Sequence, residues 1–493
     1  MKNIKTFIAL VLCTAMLVPM LVSCSKGNVS PAVDDSPVNV DPNETLTSVP
    51  YDLKFDGETF TVLCREDNAY GKYLYEITAD EGKTDPVNQA VHERNLKVEE
   101  RFGIDLVTHD IPGSWSQADS FINTVRNSVL SGSGAFDLIM SQQEYMCDPG
   151  ISELYLNFYT LPYISQDINN PYFFQDNVNE LTVDGKLYYL VGDYSLTYWE
   201  FIYVLYFNKQ VAESEQIEDL YQLVRNGSWT IDKCIELSKG IYRDLDGDGR
   251  KGVNDRYGYI TDFENTADAL FSHFDVQATG HDEEGNVVMA MDQGKMVSIL
   301  EKMIAFYNTA DVFTHKTSST DINIPFDSIF TDNRALFYPE RLTRAHNYRD
   351  METSFGILPY PKWDEDQTGY YTQAQNAYSV AVVPRDVKNP EMTGAVLNVL
   401  SALSYDHVTP AYYDMALRDN LERDEESGEM LDLIRQGIKV NFGYFYYNEL
   451  GTGGIIRLLL NKKNSNFVSY YAAHSKGYER NLKKIISGYT DND

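Results

Sequence analysis

The chain has 493 residues, with 73 Asp and Glu against 41 Lys and Arg, for a net charge of −32. That length leaves room for two or three domains and a large core, while the charge repels nucleic acid and anionic lipid and favours solubility. Five cysteines (Cys13, Cys24, Cys64, Cys147 and Cys234) are too few for a disulfide scaffold. Tyrosine contributes 36 residues. Its flat apolar face and polar tip suit the C–H faces and hydroxyls of sugars, and equally suit ordinary cores.

In chain order, Lys2 and Lys5 precede an apolar stretch over residues 7–22, broken by Cys13, Thr14 and Pro19. Leu21-Val22-Ser23-Cys24 then resembles the lipobox of bacterial lipoproteins. The resemblance implies a signal peptide over residues 1–23, cleavage before Cys24, and acyl chains on that cysteine. The stretch is short for a membrane span of roughly 20 residues. An ordinary signal peptide or an anchor helix are the rival readings. Loss of Lys2 and Lys5 brings the mature charge near −34, and leaves three cysteines that allow at most one bridge, with the pair undetermined. Residues 24–50 read as a lipid-anchored, disordered linker rich in Ser, Asn, Asp and Pro.

Globular sequence begins near Glu58. Residues 59–64 predict a strand, 87–102 a charged helix opened by Asp85-Pro86, and 103–107 a second strand. Phe121, Ile122, Val125 and Val129 have helical spacing, and 136–140 predict a third, buried strand. Strand and helix alternate, which implies a parallel α/β sheet. Further strands are expected at 186–194, 201–207, 335–338, 355–358 and 377–383. Helices are expected at 230–242, around 296–304 and at 391–403, and from about residue 410 the pattern is mostly helical.

The sharpest local motif is Asp244-Leu245-Asp246-Gly247-Asp248-Gly249-Arg250, continuing to Asp255. Carboxylates at loop positions 1, 3, 5 and 12 with Gly at position 6 match the EF-hand spacing, with Asp in place of the usual last Glu. Asp244, Asp246, Asp248 and Asp255 would supply carboxylates, and Arg250 its carbonyl, to a structural calcium. A solvated acidic turn is the alternative. Gly247, Gly249 and Gly252 also match the dinucleotide fingerprint by count, but no buried strand leads in and the aspartates would repel a pyrophosphate. No G-x-S-x-G or H-E-x-x-H occurs, and the eight histidines are scattered.

Several segments together resemble the extracellular solute-binding lipoproteins of ABC importers, of the carbohydrate-binding family. They are Tyr206-Phe207-Asn208-Lys209, Ser228-Trp229-Thr230, Phe330-Thr331-Asp332-Asn333-Arg334-Ala335-Leu336-Phe337, Phe355-Gly356-Ile357-Leu358-Pro359-Tyr360-Pro361, and 377–384 followed by Asn389-Pro390-Glu391. The usual Pro before Trp229 is missing, and Asn333-Arg334 replaces the common Gly-Lys.

The resemblance implies a two-lobed α/β periplasmic-binding-protein-like fold with hinge crossings and a helical C-terminal region. Lobe 1 is expected over 51–203 and 357–403, and lobe 2 over 204–356 and 404–493. It implies a non-enzymatic monomer, anchored by lipid to the extracellular face of the cytoplasmic membrane. There it would capture a carbohydrate, of oligosaccharide size, for ABC permease subunits. By position, ligand contacts are expected from Arg65, Glu66, Asp67 and Asn68 after the first strand, and from Gln143, Glu144 and Tyr145 after the third. Tyr198, Trp199 and Glu200 before the first crossing, Tyr338, Glu340 and Arg341, and Tyr412 complete the set. Trp229, at a helix start, is assigned to the core. A lipid-anchored glycoside hydrolase and a binder of peptides or other polar solutes are the rival functions.

Overall fold

The computed structural model describes residues 45–66, 76–79, 85–147, 152–262, 266–315, 326–348, 351–413 and 425–490. The signal segment, Cys24, most of the linker, and Asp67 and Asn68 lie outside the described residues. Among the described residues no helix is long and apolar enough to cross a membrane.

The first sheet contains β1 (Thr59–Glu66), β2 (Asp105–Pro112) and β3 (Leu138–Gln142). β1 runs parallel to both others, with Thr59 opposite Asp105 and Val62 opposite Leu138. Between the strands lie the helices Pro86–Phe102 and Ala118–Ser131, as the alternating pattern implies. The first is opened by Asp85, whose side chain accepts from the amides of Val87 and Asn88, and it buries Val91, Val98 and Phe102.

The second sheet is built from β4 (Tyr203–Asn208) and β5 (Tyr257–Asp262), beside a small hairpin of β6 (Thr279–His281) and β7 (Val287–Met289). β8 (Val312–His315), β9 (Ala335–Arg341) and β10 (Phe355–Leu358) complete it, in the order β10-β4-β9-β5-β8. β11 (Ser379–Val382) then returns to the first sheet, antiparallel to β3, giving the order β11-β3-β1-β2. Trp229 is fully buried against Phe337 and donates its indole N–H to the Pro359 carbonyl at 3.0 Å.

Three expectations need correction. Residues 186–194 form no ladder; Lys186, Leu190 and Gly192 make only isolated bridges, to Val183, Ala381 and Phe173, three different partners that cannot extend into one strand pair. Gly192 approaches the Tyr172 carbonyl so closely that a Cβ would lie 2.4 Å from it. The return to the first lobe also comes later than residue 357, because β10 pairs with β4 and Lys362 still bridges to Thr230. Nor does 404–493 belong to one lobe. The turn Ser404–Val408 packs on the helix Pro86–Phe102. The last helix, Phe467–Thr490, packs on the helix Gln293–Tyr307 of the second lobe, while its Tyr489 meets Tyr188 of the first at 5.3 Å.

The lobes join where three extended segments lie side by side. The Gln375 amide donates to the Phe201 carbonyl at 2.8 Å, and the Tyr203 amide to the Gln373 carbonyl at 3.2 Å. The Leu342 amide donates to the Ile202 carbonyl at 2.8 Å. On the other side, Thr372 exchanges backbone bonds with Gly437 and Lys439.

Candidate functional site

The C-terminal ends of the parallel strands in the first sheet carry polar side chains, the position where open α/β sheets take ligands. Arg65 is only 7% exposed, and its Nη1 donates to Gln142 Oε1 at 3.1 Å. Its Nε and Nη2 have no hydrogen-bond partner among the described residues. Gln142 Nε2 in turn donates to Glu144 Oε2 at 2.8 Å. The other oxygen of Glu144 accepts from the Tyr447 hydroxyl, which itself accepts from Asn376 Nδ2. Burial, and then the Glu144 charge, push the Tyr447 hydroxyl well above its ordinary pKa, so it stays a donor. Gln143 reaches the tail differently, donating Nε2 to the Phe445 carbonyl.

Beside this network lies a narrow cleft open to solvent, lined among others by Asp268, Gln373, Lys439, Asn441, Tyr444 and Tyr447. Second lobe, hinge and C-terminal tail all contribute to its wall. Tyr444 and Tyr447 stack with centroids 5.6 Å apart and planes 18° apart. Gly453 lies under Tyr447, where a Cβ would come within 2.3 Å of the ring, so the chain needs a bare backbone there. Asp268 forms a two-point pair with Arg457, at 2.7 and 3.1 Å. At the cleft wall Thr452, 4% exposed, leaves Oγ1 without a hydrogen-bond partner among the described residues, and Gln373, 4% exposed, makes no well-formed hydrogen bond from Nε2, which faces the Tyr444 hydroxyl loosely.

The other expected contacts lie elsewhere. Glu66 is exposed at the end of β1. Tyr145 packs on Phe121 and donates to the Gly113 carbonyl at 2.9 Å, inside the first lobe. Tyr198 and Trp199 are buried in a ring cluster with Phe174, Tyr378 and Tyr413, and Tyr412 is buried beside Tyr413. Tyr338 packs between Phe326 and Phe330 in the second lobe. Glu200, 4% exposed, accepts the Thr343 amide on its carbonyl at 2.8 Å. Glu340 and Arg341 form a buried pair at 2.9 Å, and Arg341 Nη1 donates to Gln375 Oε1 at 2.7 Å across the hinge. Burial opposes the Glu340 charge, but Arg341 and Arg344 outweigh it and hold the carboxyl below its ordinary range.

No family profile matches the sequence, and no curated protein matches it in sequence. Solved structures do match in shape. An ABC substrate-binding protein from Listeria monocytogenes, solved with cycloalternan, is 13% identical, with a TM-score of 0.52 over 89% of this chain and 100% of that one. A sugar transporter protein from Rhizobium etli in an open conformation gives 12% identity and a TM-score of 0.54 over 88% and 100%. The galacto-N-biose/lacto-N-biose I-binding protein of a Bifidobacterium longum ABC transporter, with lacto-N-biose, gives 12% and 0.53 over 87% and 99%. The fold is that of an ABC-transporter solute-binding protein.

In this solute-binding-protein fold the acidic loop is an outlying feature of the second lobe. Asp244, Asp246 and Asp255 bring carboxylate oxygens within 4.8 Å of one another. Gly249 turns the chain at φ 75°, and its amide and that of Gly247 bind Asp244. Asp255 is fully buried, accepting from the amides of Leu245 and Gly252. Asp248 does not join the three; it accepts from the Arg250 amide at 2.7 Å. The donor set is all oxygen, as a hard cation requires. Cys64, Cys147 and Cys234 are buried free thiols, so the optional bridge does not form.

Asp268, Gln373, Asn441, Tyr444 and Tyr447 escape the positional argument. For Tyr444 and Tyr447 the run Phe442-Gly443-Tyr444-Phe445-Tyr446-Tyr447 is the visible signal, an aromatic density beyond what a helical tail needs; Asp268, Gln373 and Asn441 carry none.

Proposed function

We propose that this protein is a lipid-anchored extracellular solute-binding protein that captures a carbohydrate of oligosaccharide size and delivers it to an ABC permease, without turnover. The observation that carries this reading is the cleft wall, which pairs a stacked tyrosine platform with buried polar atoms that lack well-formed hydrogen bonds. Rings take the apolar face of a sugar, while an amide N–H and a hydroxyl take its hydroxyls, and exclusion of water strengthens those bonds. The comparison proteins with bound saccharides support the same substrate class. Thermal unfolding across neutral oligosaccharides and short peptides tests it, since a ligand bound by the folded state raises the midpoint. Shifts from saccharides alone are expected. Shifts from peptides alone, or release of sugar from a glycan, would refute it.

Anchoring through Cys24 keeps the monomeric receptor near its permease and raises their encounter rate. Calcium held by Asp244, Asp246 and Asp255 would staple the second lobe. A chelator is then expected to lower the unfolding midpoint, and Asp246→Ala to remove that sensitivity.

A further inference from the structure

Charge is unevenly placed on this acidic chain. Between residues 462 and 490 there are six cationic side chains, Lys462, Lys463, Lys476, Arg480, Lys483 and Lys484, against one acid, Glu479. All six are exposed, and none forms an ion pair with another described residue. Several cations elsewhere are answered locally: Arg225 by Glu426 and Glu429, Arg243 by Glu215, and Lys302 by Asp232.

The helix Phe467–Thr490 sorts these groups by face. It buries Phe467, Tyr478, Leu482, Ile485 and Tyr489. At about 100° per residue those positions share one side, and Lys476, Arg480, Lys483 and Lys484 fall within a sector of about 100° on the opposite side. The helix is fixed at both ends. Phe467 sits in the core of the second lobe, and the Tyr489 hydroxyl meets that of Tyr446 at 2.5 Å. The cations are therefore presented on a rigid, straight element.

We propose that this basic face docks the folded body onto a bilayer surface of anionic phospholipid. The net charge of −32 does not forbid it, because at physiological salt the field of exposed charges decays over roughly 8 Å, so contact is governed by the local face. The sector that holds these three lysines and one arginine carries no aromatic side chain, since Phe467, Tyr478 and Tyr489 are turned into the core, so it lacks the aromatic anchors of a protein interface, where lysine is depleted. Clustered cations without such anchors fit a layer of headgroups. The inference is independent of which solute the cleft takes.

Vesicle flotation tests it with the compact unit Pro42–Asp493, which omits the lipidation site. Binding to phosphatidylglycerol-containing vesicles is expected at low salt, falling as salt rises, with none to pure phosphatidylcholine. Each cation near the surface contributes roughly fivefold in affinity, so the combined Lys476→Gln, Arg480→Gln, Lys483→Gln and Lys484→Gln variant should bind several hundredfold more weakly. Its unfolding midpoint should match the parent, and the salt arm needs no variant. Failure to bind anionic vesicles, equal binding to phosphatidylcholine, or salt-independent binding would overturn the proposal, as would a folded variant that binds like the parent.

Discussion

The hinge and the cleft wall lie a few residues apart, yet they treat buried polar groups in opposite ways. At the hinge, Glu340, Arg341 and Gln375 satisfy one another across the crossing segments. In the cleft, Gln373, two residues from Gln375 on the same segment, makes no well-formed hydrogen bond from its amide N–H, and Thr452 leaves its hydroxyl without a partner among the described residues. An unpaired buried donor costs roughly 1–3 kcal/mol, so such groups persist where something else answers them. The hinge charges brace the crossing segments; in the proposed function the cleft groups are answered by the ligand. Residues chosen for chemistry alone, such as Glu340 and Arg341, turn out to brace the frame.

Perturbing the hinge should have the largest effect. Arg341→Ala strands Glu340 in a buried site, and denaturant unfolding should show a loss of about 3–5 kcal/mol. Asp193 offers the converse case nearby. It is buried and accepts from Thr409 at 2.7 Å, but desolvation outweighs Thr409 and Arg435 and raises its pKa to about 7. With the folded value raised above the unfolded one, stability is greatest below the ordinary aspartate range and falls as pH rises toward 7, then levels off. Asp193→Asn should flatten that slope and gain up to a few kcal/mol at pH 7, read from unfolding midpoints at successive pH values. In the cleft, Tyr444→Ala should weaken saccharide binding by about tenfold or more, measured by calorimetry, with a smaller effect on unfolding. If the order reversed, so that cleft changes unfolded the protein and hinge changes weakened binding, the contrast would fail.

Much of the frame was legible. Asp85-Pro86 and Asn389-Pro390 each opened a helix where the cap chemistry placed it, because a side-chain acceptor and a proline at the first turn are local signals. Strands 59–64 and 136–140 were visible from buried apolar runs bounded by turns. The failures share a cause, which is that tertiary pairing overrides local pattern. Residues 186–194 have strand composition but find no ladder partner, and Phe355-Gly356-Ile357-Leu358 pairs with β4 instead of starting the return. For the proposed site, strand-end reasoning named Glu144, which reaches the cleft only through its bond to Tyr447, while Arg65 and Glu144 do not themselves line the cleft. Tyr198, Trp199 and Tyr338 misled because rings beside a hinge also fill cores. Tyr447 was hidden because its partner Glu144 lies about 300 residues away in sequence.

The account rests most directly on Gln373. Unfolding of Gln373→Ala, without and with the saccharide that best stabilises the parent, separates a binding group from a structural one. Without ligand, the variant should unfold within about 1 kcal/mol of the parent, because Nε2 makes no well-formed hydrogen bond, only a loose contact to the Tyr444 hydroxyl. With ligand, most of the parent's upward shift should disappear. A variant that is strongly destabilised without ligand, or that keeps the full shift, would contradict the assignment of this cleft as the capture site.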